Sequence, residues 1–218
     1  MRNDFKILIP ARGGSKRIKN KNIISLAGRP LISYVIETSL KITKEVYVST
    51  DSIAIEKISK NHGAKIVKRP AELATDASTT NSTIRHLLNT IDNVSYFACV
   101  QPTSPLLSAN YLQRGINKIK TEGYDTVISV AEAVGFYWTA KGDPINFTPK
   151  PRPREQDLEP YYVENGAFYI TTKDGFLSEN NLVNGRVGLV VMPKADSIDI
   201  DDQVDLGIAD YTIRLKKS

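Results

Sequence analysis

Residues Phe5-Lys6-Ile7-Leu8-Ile9-Pro10-Ala11-Arg12-Gly13-Gly14-Ser15-Lys16-Arg17 decide how the chain is read. An apolar run of strand length stops at a proline and gives way to a glycine pair set among cations. A buried strand opening into a Gly-rich loop begins a strand–loop–helix unit, and the alternation continues outward from it. Pro30 can open a helix in which Leu31, Tyr34, Val35 and Ile42 recur at helical spacing. Residues 45–49 alternate like a strand. Residues 52–62 read as a helix with Gly63 where a left-handed cap is wanted, and 64–67 as a short strand. Ile84, Leu87, Leu88 and Ile91 lie at i, i+3, i+4 and i+7, one apolar face of a helix. Residues 94–100 then read as strand, 109–120 as helix, and 126–130, 167–170 and 187–192 as strands. Val204, Ile208, Tyr211 and Leu215 mark a C-terminal helix. Nearly continuous apolar strands alternating with helices imply an α/β fold, a mostly parallel sheet covered on both faces. Ligands of such sheets sit beyond the carboxyl ends of the strands, which directs attention to the loops after Ile9, Thr50, Val100 and Val130.

Composition bounds the class. The chain has 218 residues, 41% hydrophobic and 24% charged, enough for one domain with a real core. Its one cysteine, Cys99, lies in an apolar run; an intramolecular disulfide is excluded, and a reducing compartment is expected. No stretch reaches the roughly 20 apolar residues of a membrane span, and Ile7–Ile9 is too short for a signal peptide. A cytoplasmic protein is the expectation. The net charge of +5 is uneven. Residues 1–30 carry Arg2, Lys6, Arg12, Lys16, Arg17, Lys19, Lys21 and Arg29 against Asp4 alone. Residues 195–210 carry six aspartates and no Lys or Arg. That polarity points to an anionic ligand at one end and a metal or other cation at the other.

Residues 135–164 break the rhythm. They contain no clean helix, and four of the 11 prolines fall within 149–160. A long irregular insertion in a compact domain is usually functional. The segment reads as an arm inserted into a core of residues 1–134 and 165–218. Its Phe136, Tyr137, Trp138, Phe147, Leu158, Tyr161 and Tyr162 would need a second subunit to cover them.

Four constellations carry chemistry. In the loop after the first strand, Gly13 and Gly14 let backbone N–H groups approach an anion, and Arg12, Lys16 and Lys21 supply counter-charge for a polyphosphate. It matches neither the Walker A nor the dinucleotide G-x-G-x-x-G pattern. In Ser197-Ile-Asp-Ile-Asp-Asp202, Asp199 and Asp201 lie two apart. On extended backbone they face one way while Ile198 and Ile200 face the core. Such a pair suits Mg²⁺, with Mn²⁺ as the substitute, held jointly with substrate phosphates; Asp202 is placed to cap the following helix, and Asp199 is too early for that job. Gln101-Pro-Thr-Ser-Pro105 is a rigid turn presenting Gln101 and Ser104. In Arg69-Pro-Ala-Glu-Leu-Ala-Thr-Asp76 and Ser78-Thr79-Thr80 the hydroxyls serve a helix start first and a ligand second. His62 and His86 lack metal-ligand spacing and read as structural or exposed.

These motifs, followed by Asn165-Gly-Ala-Phe-Tyr-Ile, occur in one order and resemble the CMP-sialic acid synthetases, the N-acylneuraminate cytidylyltransferases, from about residue 5 to 212. The resemblance implies a three-layer α/β/α Rossmann-like nucleotidyltransferase and a homodimer with an exchanged arm. The implied reaction is CTP plus a nonulosonic acid giving a CMP-sugar and pyrophosphate. It further implies that Arg12, Lys16 and Lys21, with Gly13, Gly14 and Ser15, hold the CTP phosphates. Asn22, Arg69 and Thr80 would contact the nucleoside, Gln101 would touch the acceptor sugar, and Ser104 and Asn165 are further substrate-binding candidates. Asp199 and Asp201 would serve the metal, Asp199 also as a base near the anomeric hydroxyl. Two positions depart from the common pattern: Leu107 and Val163 stand where many members carry arginine. The acceptor is then open among sialic, legionaminic and other 5,7-diamino nonulosonic acids, and Arg152 and Arg154 of the arm are candidates to replace the lost charge. Three rival readings stand beside this: activation of 3-deoxy-manno-octulosonate, a catalytically silent nucleotide-binding module, and a nucleic-acid binder. The first usually lacks the Gly-Gly-Ser-Lys loop, the second needs a damaged acidic pair, and the third needs aromatics that residues 10–22 do not contain.

Overall fold

The computed structural model describes residues 4–216; Arg2, counted with the basic head, lies outside them. Strand β1 (Phe5–Pro10) runs through the middle of a seven-stranded sheet. After it come a two-stranded hairpin, β2 (Ser25–Leu26) and β3 (Arg29–Pro30), then α1 (Leu31–Leu40), β4 (Val46–Thr50), α2 (Ile53–Asn61), β5 (Lys65–Lys68) and α3 (Thr80–Thr90). The second half holds β6 (Tyr96–Val100), α4 (Ala109–Glu122), β7 (Thr126–Ala133), β8 (Tyr161–Thr172), α5 (Lys173–Glu179), β9 (Val187–Met192) and α6 (Gln203–Leu215). The sheet order is β5-β4-β1-β6-β8-β7-β9. All its pairings are parallel except those of β8, which is antiparallel to both β6 and β7.

The alternation within β1 explains the layers. Ile7 and Ile9 face one way and pack with Val35 and Ile36 of α1, Ile55 of α2 and Leu112 and Ile116 of α4. Leu8 faces the other way, toward Ile84, Leu87 and Leu88 of α3 and Phe176 of α5. Cys99 belongs to this second layer, fully buried, and burial pushes its thiol up to about 12. Helix α4 can lie this close to the sheet because it presents Gly115, where a Cβ would stand 2.7 Å from Ile170 Cδ1.

The chain leaves β1 for β4 and β5 on one side, then crosses back to β6 on the other. This reversal opens a crevice at the carboxyl ends of β1 and β6, the place where open α/β sheets bind ligands. Short elements escaped the sequence reading. Helix α5 has seven residues, a single buried anchor (Phe176) and a glycine inside it, too little to show a period. Strand β8 starts six residues before the expected 167 because its first four residues are exposed and carry no apolar alternation. The inserted segment therefore leaves the sheet at Ala133 and rejoins it at Tyr161, its register partner. Between them it forms a small aromatic cluster, Phe147 against Phe136 (4.8 Å) and Trp138 (5.0 Å). Val134, Trp138, Tyr161 and Tyr162 remain exposed. Among the described residues no helix is long and apolar enough to cross a membrane.

Candidate active site

The basic loop is shaped by what it must bury. Ile18, 2% exposed, plugs into a third apolar cluster with Leu26, Leu31, Ile200, Ala209 and Ile213. Asn20 turns the backbone through the left-handed region (φ 55°) and starts a 3-10 turn, Lys21–Ile23. Ile200 in the same cluster is the inward-facing residue of the acidic turn. Ile200 is buried, as the alternation expects, while Ile198 is only half-buried against the same cluster. The Ile200 N–H donates to Thr103 O at 2.9 Å, fastening the acidic turn to the rigid turn after β6. Asp202 caps α6, accepting from Val204 N and Asp205 N, while Asp205 bonds back to the Asp202 N–H.

Basic loop and acidic turn meet. Lys21 Nζ donates to Ile200 O (2.9 Å) and to Asp201 Oδ1 (3.1 Å), and Arg17 lies 2.9 Å from Asp201 Oδ2. Arg12 and Lys16 converge on Asp76, at 2.8 and 2.5 Å. Lys16 first, then Arg12, hold the Asp76 carboxyl below the usual carboxylate range. Asn22 is buried and donates to Arg12 O at 2.9 Å. Gly14 takes φ 66°, as the sharp turn requires, but the Gly13 N–H is already engaged by Asp51 Oδ1 at 2.8 Å. Arg12, Lys16, Arg17, Lys21, Asn22 and Asp76, with Ser15, Gln101, Pro102 and Thr103, line a cleft of about 380 Å³ in the β1/β6 crevice; Gly13 and Gly14 are not part of its lining.

A second cleft, of about 530 Å³, opens beside it, lined by the ends of β7 and β8 together with Lys194, Ser197 and Asp199. Burial, reinforced by Asp201, raises the Asp199 carboxyl above its ordinary range against a hydrogen bond from Thr103. For Asp201 burial pulls the same way, but Lys21 and then Arg17 outweigh it and hold that carboxyl low. Thr103 lines the first cleft while bonding the acid of the second, so it marks the divide. Asn165 is buried and donates to Ser197 Oγ at 2.8 Å, which fixes the acidic turn against β8. Tyr169 donates to Glu164 at 2.9 Å.

Other sequence candidates fall elsewhere. Arg69 is 8% exposed and bonds Ser49 Oγ (3.2 Å) and Ser49 O (3.0 Å); burial lowers its pKa to about 10. It lies under the neighbouring charges of Asp51 and Arg12 rather than on the cleft lining. Thr79, not Thr80, caps α3. Thr80 and Gln101 share a smaller hollow of about 260 Å³ with Glu164 and Tyr169. Ser104 points inward, its hydroxyl buried and without a hydrogen-bond partner among the described residues. Arg152 stacks on Phe136 (4.2 Å) and Arg154 pairs with Asp157 (2.8 Å), both inside the arm. Sequence reasoning gave no role to Asp51, Asp76, Thr103, Tyr169 or Lys194. Asp76, Thr103 and Tyr169 lie inside motifs quoted above, with no role read for them; Asp51 and Lys194 carried no signal.

Two carboxylates that repel each other form a hard oxygen donor set. They fit a divalent cation that takes its remaining ligands from phosphates. Among the described residues no group of three or more His, Cys, Asp or Glu offers a complete protein-only metal site.

The chain is 37% identical over 215 residues to N-acylneuraminate cytidylyltransferase A of Danio rerio, covering 94% of this chain and 50% of that one. It is 33% identical to the N-acylneuraminate cytidylyltransferase of Escherichia coli over 100% of this chain and 54% of the other. It thus spans about half the length of these relatives. With the pseudaminic acid cytidylyltransferase of Campylobacter jejuni it shares 31% identity over 93% of both chains. In fold it is similar to a CMP:2-keto-3-deoxy-manno-octonic acid synthetase solved with CTP, with TM-score 0.72 and 17% identity over 98% of this chain and 99% of that one. Residues 6–196, from the opening strand almost to the acidic turn, match the family model described as cytidylyltransferase, and the chain belongs to that family.

Proposed function

We propose that the protein transfers CMP from CTP to the anomeric hydroxyl of a nonulosonic, sialic-acid-like acid, releasing pyrophosphate. The observation that carries the reading is the meeting of basic loop and acidic turn through Lys21 and Asp201, beside two adjoining clefts. The first cleft supplies cations for a triphosphate: Arg12, Lys16, Arg17 and Lys21 exchange Asp76 and Asp201 for phosphate oxygens. The second presents Asp199 to an acceptor hydroxyl. Its raised affinity for a proton suits a group that takes the hydroxyl proton as the oxygen attacks the α-phosphorus. Lys21 and Arg12 stabilise the charge that moves onto the pyrophosphate leaving group. Asp199 and Asp201 would hold Mg²⁺, or Mn²⁺ in its place, which when bound neutralises phosphate charge and acidifies the acceptor hydroxyl. The exposed aromatics of the arm support a homodimer in which each arm covers its neighbour, and the absence of any disulfide-forming pair supports a cytoplasmic setting.

The test is pyrophosphate release with CTP, UTP, ATP and GTP, crossed with N-acetylneuraminate, legionaminate, pseudaminate and 3-deoxy-manno-octulosonate. Release confined to CTP with a nine-carbon acid is expected. Release only with the eight-carbon acid, or none with any, refutes the reading.

A further inference from the structure

The second cleft has an unbalanced lining. It carries three carboxylates, Glu132, Glu164 and Asp199, and a single cation, Lys194. An acid entering it meets repulsion from all three unless Lys194 answers it. The cations of the first cleft are all committed, Arg12 and Lys16 to Asp76, Arg17 and Lys21 to Asp201. The Lys194 ammonium has no ion-pair or hydrogen-bond partner among the described residues. The nearest acid in sequence, Asp196, is already held by Lys216 and by Tyr111 at 2.8 Å.

The backbone beneath Lys194 is pinned although its side chain is free. Pro193 fixes the entry (φ −55°), Asp196 N donates to Pro193 O at 2.9 Å, and Ser197 N donates to Lys194 O at 3.2 Å. Ser197 is itself tied to the buried Asn165. The amine is therefore tethered at a fixed point on the rim, close in sequence to Asp199 and with no competing partner. Across β7, where Ala131 pairs with both Val163 and Met192, the facing wall offers the uncharged Val163.

We propose that Lys194 binds the carboxylate of the acceptor sugar acid and sets the preference of the second cleft for the acid over its uncharged analogues. This rests on the cytidylyl-transfer reading above. The pair is one charge-assisted contact at an exposed rim, worth roughly tenfold in binding.

The experiment uses the acid that the acceptor panel identifies, together with its methyl ester. Lys194→Ala is expected to raise KM for the acid about tenfold, with kcat and the KM for CTP little changed. It should lower the preference for acid over ester by the same factor. Lys194→Arg should retain most of the preference, and Val163→Arg in the Lys194→Ala background should restore part of it. An unchanged acid-to-ester preference in Lys194→Ala overturns the assignment, as does an equal loss of CTP affinity, which would mark a structural role. Turnover by no acid in the panel overturns the function itself and this inference with it; turnover indifferent to Lys194 overturns only this one.

Discussion

Removing Lys21 separates what the site does for stability from what it does for chemistry. Its ammonium ties the basic loop to the acidic turn, across 179 residues of sequence to Ile200 O and 180 to Asp201, beside the second tie that Arg17 makes to Asp201. The bond to Ile200 O is partly buried, worth about 1 kcal/mol. The bond to Asp201 is worth no more than about 1 kcal/mol, because that side chain is 44% exposed and keeps Arg17 as a second partner. The Lys21 stem is 17% exposed, so truncation also loses packing. Lys21→Met keeps the stem and should cost about 1–2 kcal/mol by urea unfolding at pH 7, Lys21→Ala somewhat more. The sign of the pH dependence follows from Asp201. Burial would raise its pKa, but Lys21, then Arg17, hold it low. A depressed acid stabilises the fold above its unfolded pKa and loses that contribution as pH falls through the folded value. The deficit of Lys21→Met should therefore be full at pH 7 and shrink below about pH 4. CTP-dependent turnover should fall about 10²- to 10³-fold in both variants, the usual cost of removing one preorganised charge-stabilising donor. Turnover within a few-fold of the parent, alongside a lowered urea midpoint, would mean that Lys21 only holds the site together. A deficit equal at pH 7 and pH 3 would refute the coupling to Asp201.

Asp199→Asn should raise the melting temperature at neutral pH while lowering turnover at least about 10²-fold. Burial makes the ionised form costly, so the gain should be present above the folded pKa and vanish on acidification; a lower melting temperature at pH 7 would contradict the burial account. Gly115→Ala should destabilise by about 1–3 kcal/mol in chemical denaturation, although alanine is the better helix former, because the new Cβ meets Ile170 and Phe168 at 2.7 and 3.1 Å. Lys65, Tyr47 and Lys6 lower the Glu45 carboxyl to about 2. Glu45→Gln should then cost about 2 kcal/mol at pH 7 and match the parent near pH 2; curves that stay parallel across that range would sink the assignment.

The strand–helix alternation was legible because its elements are long and one-sided. Ile84, Leu87 and Leu88 occur at helical spacing and are buried on that face of α3. The acidic turn was legible for the same reason, since Ile200 alternates with two aspartates and is fully buried. What was not legible is pairing at a distance. Nothing in the spacing of Asp76 says that it lies between Arg12 and Lys16, or that Ser104 turns inward. Arg69, which the resemblance assigns to the nucleoside, also donates to Ser49, a partner known only once β4 and β5 lie side by side.

The charge polarity of the chain needs a different explanation from the one composition invites. A basic head and an acidic tail read as two ends, one for an anion and one for a cation. The fold superimposes them. β1 is central, so the loop that follows it must emerge at the middle of the sheet's carboxyl edge. The apolar residues Ile18 and Ile200 then draw that loop and the turn after β9 into one cluster. Hydrophobic packing thus sets the separation of opposite charges that would otherwise be far apart in the chain. Arg12 and Lys16 are held by Asp76, Lys21 and Arg17 by Asp201. Four cations crowded at one strand end would repel one another without these acids. With them, on the proposed function, the cleft is assembled before any phosphate arrives, and the cations would exchange carboxylate contacts for phosphate contacts instead of ordering a loop from scratch.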